Sequence, residues 1–426
     1  MEKKKWFVGV DWATQAHAVC VLDDAGKVLG ERTFKHSGDG LGALANWLET
    51  TSTGTAQDIL VAIEVPHGPV VETLLERGFQ VYAINPKQLD RFRDRFTVAG
   101  AKDDRRDARV LADSLRTDLP CFRALSVDCA AIIQLREYSR MAEVLVEQRV
   151  RETNRVRQIL GRYFPQILEL DDELWSPFFR ALWELVPTPK AAARVRETTI
   201  AKLLIEHRIR RFDAKKVLTV LRQKALAVAP GTTEACEAHL RSLMNRIAIL
   251  VGEHAKAIEQ IEALTRTVAA EQEKSERRDV EILHSMPGVG QIILATLLTE
   301  GSGPLETRDY HALRLLAGVA PVTKQSGKRS VVSMRHGCHS RLRNALYYWA
   351  QTAAVFEAKS KATYRALRER GHGHARALRT VADRLLYVAC AMLRKGQTYD
   401  HERRSSVSAR LPPATAPARQ TVHFST

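Results

Sequence analysis

The sequence predicts an α/β amino-terminal domain followed by a mainly helical remainder. Three observations carry that expectation. The run W-F-V-G-V-D-W, residues 6–12, is apolar and β-prone and stops at Asp11. This is the pattern of a central strand covered on both faces, with a polar group at its carboxyl end. Further strand-like runs then alternate with helix-like spacing as far as about residue 125. From about Ala130 onward the apolar residues recur at helical intervals instead.

The elements follow in order. H-A-V-C-V-L-D-D, residues 17–24, alternates as a strand does, and Asp24-Ala25-Gly26-Lys27 makes a turn. Val28 to Phe34 returns as a third strand, completing a β-meander. Leu41, Leu44, Ala45 and Leu48 mark a helix, and D-I-L-V-A-I-E, residues 58–64, a buried strand ending in Glu64. Val70 to Leu75 is a further helix, and F-Q-V-Y-A-I-N, residues 79–85, a fifth strand closed by Pro86. Three strands, helix, strand, helix, strand, helix is the layout of an RNase H-like sheet, half hairpin-built and half parallel.

A-K-D-D-R-R-D-A-R-V-L-A, residues 101–112, supplies the last helix of that domain. Asp104 and Asp107 are three apart and share a face, with Asp103 one position off. A solvated charge run is the plainer reading. Against it, two preceding strands also end in acids, and in this layout those ends are neighbours with the last helix across them. Asp11, Glu64, Asp104 and Asp107 then converge. Carboxylates so crowded repel unless cations lie between them, and oxygen-only ligands suit Mg²⁺ or Mn²⁺. Two such ions about 4 Å apart clamp a phosphodiester.

One long helix is expected from about Ala130 to Pro165, and a second from about Thr233 to Lys274, forming an antiparallel coiled coil or a dimerising arm. Short helices broken by Pro177, Pro187, Pro189 and Pro230-Gly231 lie between them. M-P-G-V-G, residues 286–290, joins two apolar helical segments in the manner of a helix-hairpin-helix, whose glycine amides suit a DNA phosphate. Beyond it, Lys324, Ser326, Gly327, Lys328, Arg329, Ser330 and Arg335 are read as a loop between helices. A small hydroxyl among cations can attack a phosphate, although a loop that only contacts phosphates fits as well. Arg341 and Arg343 continue the basic run, and residues 359–395 are helical and arginine-rich. The expected divisions are 1–125, 126–280, 281–396 and a disordered tail over 397–426.

Net charge +16 and a pI near 9.7 point to a polyanionic partner. No apolar run reaches the length of a membrane span, and Asp11 interrupts the only signal-like start. The six scattered cysteines imply reduced thiols in a cytoplasmic protein. His336, Cys338 and His339 lack a second ligand pair, so zinc is not expected.

F-V-G-V-D with Asp11, I-E with Glu64, K-D-D-R-R-D-A-R with Asp104 and Asp107, and then M-P-G-V-G, L-A-G-V-A-P, Q-S-G and H-S-R-L-R-N-A-L occur in that order. In this ordered set the chain resembles the DEDD transposases of the IS110 insertion-sequence family, relatives of the Piv DNA invertases, over residues 5–395. One departure stands out: the family usually has Thr where this chain has Asp103, which leaves Asp103 or Asp104 as the third acid. The resemblance implies a RuvC-like domain holding Mg²⁺, a coiled-coil arm and a carboxy-terminal domain with a catalytic serine, matched by Ser326. It further implies a noncoding bridge RNA that pairs with target and donor DNA, and a dimer or tetramer acting on the nucleoid of a prokaryote. Ser326 would form a phosphoserine link to DNA beside the metal-bound acids, with Lys324, Lys328, Arg329, Arg335, Arg341 and Arg343 as nucleic-acid contacts. The other readings are a RuvC-like metal-dependent nuclease or junction resolvase that uses water, a Piv-type invertase, and a non-enzymatic nucleic-acid binder.

Overall fold

The computed structural model describes residues 5–84, 86–95, 103–126, 128–171, 173–274, 278–326 and 329–400. It divides into two compact units, Met1–Cys129 and Ala130–Thr426. The tail expected over 397–426 lies mostly outside the described residues.

The first unit contains β1 (Trp6–Asp11), β2 (Ala16–Leu22), β3 (Val28–Lys35), α1 (Gly38–Ser52), β4 (Ile59–Ile63), α2 (Pro69–Glu76), β5 (Gln80–Ala83), α3 (Pro86–Arg93), α4 (Asp104–Thr117) and the two-residue β6 (Arg123–Ala124). They form one mixed sheet in the order β3-β2-β1-β4-β5-β6. β1, β2 and β3 pair antiparallel, whereas β1, β4 and β5 run parallel. This matches the expected hairpin-built and parallel halves. The short β6, antiparallel to β5, has too little pattern to be seen in sequence.

The unbroken apolar runs of β1 and β4 follow from burial on both faces. Trp6, Val8 and Val10 share a core with Leu41, Leu44 and Leu48 of α1 and Val70 and Leu74 of α2. On the other face Phe7, Leu60 and Ala62 join Ala108, Leu111 and Leu115 of α4. Gly9 lies on that second face. A Cβ there would stand 1.8 Å from the Ala108 carbonyl oxygen. Only glycine lets α4 settle this close to β1.

The second unit comprises α5 (Ala130–Tyr163), α6 (Pro177–Leu185), α7 (Pro189–Arg194), α8 (Glu197–Glu206), α9 (Ala214–Leu221), α10 (Thr232–Lys274), α11 (Asp279–His284), α12 (Gln291–Glu300), α13 (Ser302–Glu306), α14 (Tyr310–Leu316), β7 (Val322–Ser326), β8 (Arg329–Ser333), α15 (Ser340–Phe356), α16 (Ala358–Glu369) and α17 (His374–Lys395). The long helices α5 and α10 pack antiparallel and serve two cores. Val156, Leu160 and Tyr163 meet Leu240, Leu243 and Ile247 beneath the short helices α6–α9. At the other end Ala131, Leu135 and Ala142 meet Ala257, Ile261 and Val268, joined there by α11, α12, α15 and α17. The regions 126–280 and 281–396 separated in the sequence thus share this second core.

Two expectations change. The segment after Pro321 is not a loop: β7 and β8 form an antiparallel hairpin with Ser326 opposite Arg329. The M-P-G-V-G turn between α11 and α12 is also an internal packing feature. Gly288 has φ +83, and a Cβ there would lie 3.1 Å from the Ala353 backbone nitrogen. Trp349 Nε1 donates to the Pro287 carbonyl at 2.9 Å, holding the turn against α15.

Candidate acidic and serine sites

Asp11 ends β1, and Glu64 follows β4 by one residue. The parallel register Val10↔Ile63 sets these two acids side by side at the carboxyl edge of the sheet. Open α/β sheets place their ligand sites at this edge. Across it runs the start of α4, bearing Asp104 in its first turn and Asp107 one turn on. Asp103 is the N-cap of α4, its carboxylate accepting from the Arg105 amide at 3.4 Å.

Burial raises the Asp11 pKa from 3.8 to about 6, and the negative charges of Asp107, Asp104 and Glu64 add to the rise while Arg93 opposes it. Three of the predicted acids, Asp107, Asp104 and Glu64, thus lie close enough to Asp11 to raise its pKa. The donor set is all oxygen, which fits a hard divalent cation. Among the described residues no group of three or more His, Cys, Asp or Glu side chains stands gathered to hold an ion.

A residue absent from the sequence reading accounts for part of this. Arg93, the last residue of α3, grips Asp107 with Nε to Oδ1 at 2.7 Å and Nη2 to Oδ2 at 2.9 Å. Its Nη1 donates to Asp90 at 2.5 Å. Asp107 is buried, with 3% of its surface exposed, so its charge needs a partner. The guanidinium supplies at Asp107 the positive charge that a metal would supply. Its basic neighbours in sequence, Arg91 and Arg95, gave no signal to single it out.

In the second unit Ser326 is exposed at the tip end of β7. Gly327 and Lys328 lie outside the described residues, as do the side chains of Lys324 and Arg329. Arg335 is half-buried, with Nε lacking a hydrogen-bond partner. Arg341 does not behave as a free cation. It donates to Glu143 at 2.6 Å, Glu300 at 2.9 Å and Ser139 at 3.0 Å, so it ties α15 to α5 and α12 rather than reaching outward. Arg140 joins the same buried Glu300 at 3.1 Å. Among the described residues Arg343 makes only a long contact to the Cys338 sulfur at 3.8 Å.

Residues 8–165 match a family model of DEDD transposases from IS110 elements, described as "Transposase". Residues 280–365 match a second, described as "Transposase IS116/IS110/IS902 family". The first match contains all four acids, and the second contains Ser326. The class defined by these matches is that of insertion-sequence transposases. The mini-circle putative transposase for IS117 of Streptomyces coelicolor is 32% identical over 408 residues, covering 93% of this chain and 96% of its own. The chain belongs to the IS110/IS116/IS902 transposase family. A putative transposase, y4uE, of Sinorhizobium fredii is 59% identical over 214 residues, which is 50% of this chain and 60% of that relative. An uncharacterized 43.6 kDa protein of insertion element IS110, also from S. coelicolor, is 28% identical over 92% of this chain and 95% of its own. Among the described residues no helix is long and apolar enough to cross a membrane.

Proposed function

We propose that the protein is an RNA-guided DNA recombinase that moves an insertion sequence, with Ser326 as nucleophile and Asp11, Glu64, Asp104 and Asp107 as ligands of Mg²⁺ in an RNase H-like, RuvC-like domain. The observation that carries the reading is the electrostatic influence of Asp107, Asp104 and Glu64 on Asp11 at one sheet edge. A bound Mg²⁺ supplies charge neutralisation at a scissile phosphate. The residues of the chain do the rest. Asp11 and Glu64 would offer oxygens from adjacent strand ends and Asp104 and Asp107 would offer theirs from α4, where Arg93 now holds Asp107. Mn²⁺ meets the same oxygen donors.

Ser326 gives up its hydroxyl proton, its Oγ bonds to phosphorus, and the strand oxygen leaves and takes up a proton. One phosphoester replaces another, so rejoining is the same exchange in reverse and needs no ATP. The net charge of +16 suits both target and donor DNA and a guide RNA. We assign RNA guidance and assembly as a dimer or tetramer on the family resemblance. Transposition and Piv-type inversion share this chemistry.

The test uses the full chain with Mg²⁺, the RNA that co-purifies with it, and labelled DNA. Wild type should give a protein–DNA adduct that survives denaturation, and Ser326→Ala should give none. Strand exchange persisting in Ser326→Ala would remove the serine from the mechanism. Cleavage to free 5′-phosphate ends without an adduct would instead assign a water-using nuclease.

A further inference from the structure

Beside the segments that lead into and out of the serine hairpin, α15 and α17 line an open cavity of about 150 Å³. Gly318 and Met334, which flank the hairpin in sequence, line it together with Arg343, Tyr347, Ala375 and Arg379. No carboxylate is among the residues that line it. Arg379 has an acid one turn along α17, Asp383, but that acid is already taken. Arg314 holds both of its oxygens at 3.0 and 2.6 Å, and the Tyr310 hydroxyl donates to it at 2.8 Å. Arg379 is therefore a half-buried cation that makes no hydrogen bond or ion pair with a described side chain, and Arg343 has only a sulfur near it. Burial and the neighbouring Arg376 make the Arg379 charge harder to keep. Two guanidinium groups facing one cavity without a counter-charge repel, so an anion there relieves both.

The start of α17 reinforces this. Its N-cap, Gly373, contributes no side-chain cap, and its first turn contains no acid. The amide end of this 22-residue helix thus opens beside Ala375 without an internal acceptor. The His374 ring is held between the Tyr347 hydroxyl at 3.2 Å and the Tyr364 hydroxyl at 2.7 Å, which fixes that turn.

We infer that the cavity between Arg343, Arg379 and the start of α17 is a phosphate-binding site that takes one backbone phosphate of a DNA strand. The choice of a strand as the source rests on the recombinase reading above. β7 carries the chain from Val322, paired with Ser333 next to the cavity-lining Met334, to Ser326 over four residue steps, about 13 Å at the strand rise. That is about four nucleotide rises of one DNA strand. A phosphate anchored here sets the register of the strand relative to the serine, which a mobile surface lysine does not do. Arg suits the role because its fork engages two phosphate oxygens at once.

The experiment pairs two probes on the full chain. Calorimetric titration with inorganic phosphate at constant ionic strength reads the cavity alone, and a salt series with a labelled DNA duplex reads the strand. Wild type should bind phosphate saturably, and Arg379→Gln should weaken that by about tenfold or more. Arg379→Lys should recover part of the loss. The slope of log affinity against log salt for the duplex should become shallower by about 1 in Arg379→Gln. Thermal melting of Arg379→Gln should be no lower than that of wild type, since Arg379 holds no side-chain partner among the described residues and its buried charge is opposed by burial and by Arg376. Equal phosphate binding by wild type and Arg379→Gln would overturn the site. Lost phosphate binding with an unchanged duplex slope would overturn the strand assignment and leave a free phosphate group as ligand. A wild type that binds phosphate through Arg379 but binds no DNA would sink the recombinase reading and leave the cavity standing.

Discussion

Arg93 and Asp11 define the acidic site from opposite directions. Arg93 neutralises the buried Asp107, and on the proposed function it would compete with a metal for that carboxylate. Arg93→Gln should lower the melting temperature in chelator, because Asp107 is left buried and unpaired, and Mg²⁺ should restore more stability to it than to wild type. A variant indifferent to Mg²⁺ would show that Arg93 has no such place in the site. Asp11 carries the pH dependence. Its folded pKa of about 6 lies above the ordinary 3.8, so the folded state holds the proton more tightly. The stability contributed by that proton is fully present below 3.8 and is lost as pH rises through about 6. On the proposed function Asp11 would hold the metal as a carboxylate, without that proton. The rise in melting temperature caused by Mg²⁺ should therefore be small below pH about 6 and grow above it, and Asp11→Asn should flatten the dependence.

Two contacts between elements hold the sites in place. The approach of α4 to β1 depends on Gly9, whose added Cβ would collide with the Ala108 carbonyl. Gly9→Ala should cost the first unit about 3 kcal/mol through overpacking and weaken Mg²⁺ binding with it, measured by native-state hydrogen exchange in β1 and α4. Gly252→Ala, on the exposed face of α10 with nothing within 4 Å, should instead gain about 1 kcal/mol. In the second unit Glu300 binds α12 to α5 and α15. Burial pushes its carboxyl up, but hydrogen bonding to Arg140 and the charges of Arg140, His339 and Arg341 hold it net below 4.5. This contribution is present above pH 4.5 and lost as pH falls through the depressed value. Glu300→Gln should cost about 3 kcal/mol at neutral pH, because two arginines lose their buried partner, and the gap to wild type should narrow in acid. Urea titration at both pH values checks it.

For the molecule as a whole, the candidate chemistry is divided between the two units, with the acids in Met1–Cys129 and Ser326 in Ala130–Thr426. Each half should then fail differently. Asp104→Asn should abolish the Mg²⁺ response and the covalent adduct together. Ser326→Ala should leave the Mg²⁺ response intact and remove only the adduct. A thermal melt in Mg²⁺ and a denaturing gel separate these outcomes. Asp103→Ala, by contrast, should cost about 1 kcal/mol of helix capping and leave the Mg²⁺ response in place.

The sequence by itself determined the order of the first five strands and the helices between them, the parallel and hairpin halves of the sheet, the lengths of α5 and α10, and the placement of Asp11, Glu64, Asp104 and Asp107 at strand and helix ends. Each is written in periodicity, in strand-terminating carboxylates or in proline and glycine punctuation, all of which are local. The hairpin around Ser326 was missed because basic and hydroxyl residues obscure its alternation, although Gly327-Lys328 is the kind of pair a tight turn uses. Only the tertiary structure decided which arginines are committed. Arg341 and Arg343 sit two apart in one basic run, yet the first is fixed by Glu143 and Glu300 while the second faces a cavity. Arg93 pairs with an acid fourteen positions away, and Arg379 is left without its neighbour Asp383 because Arg314 reaches that acid from another helix. Charge pairing of this kind depends on which helices meet, and a single sequence does not state that.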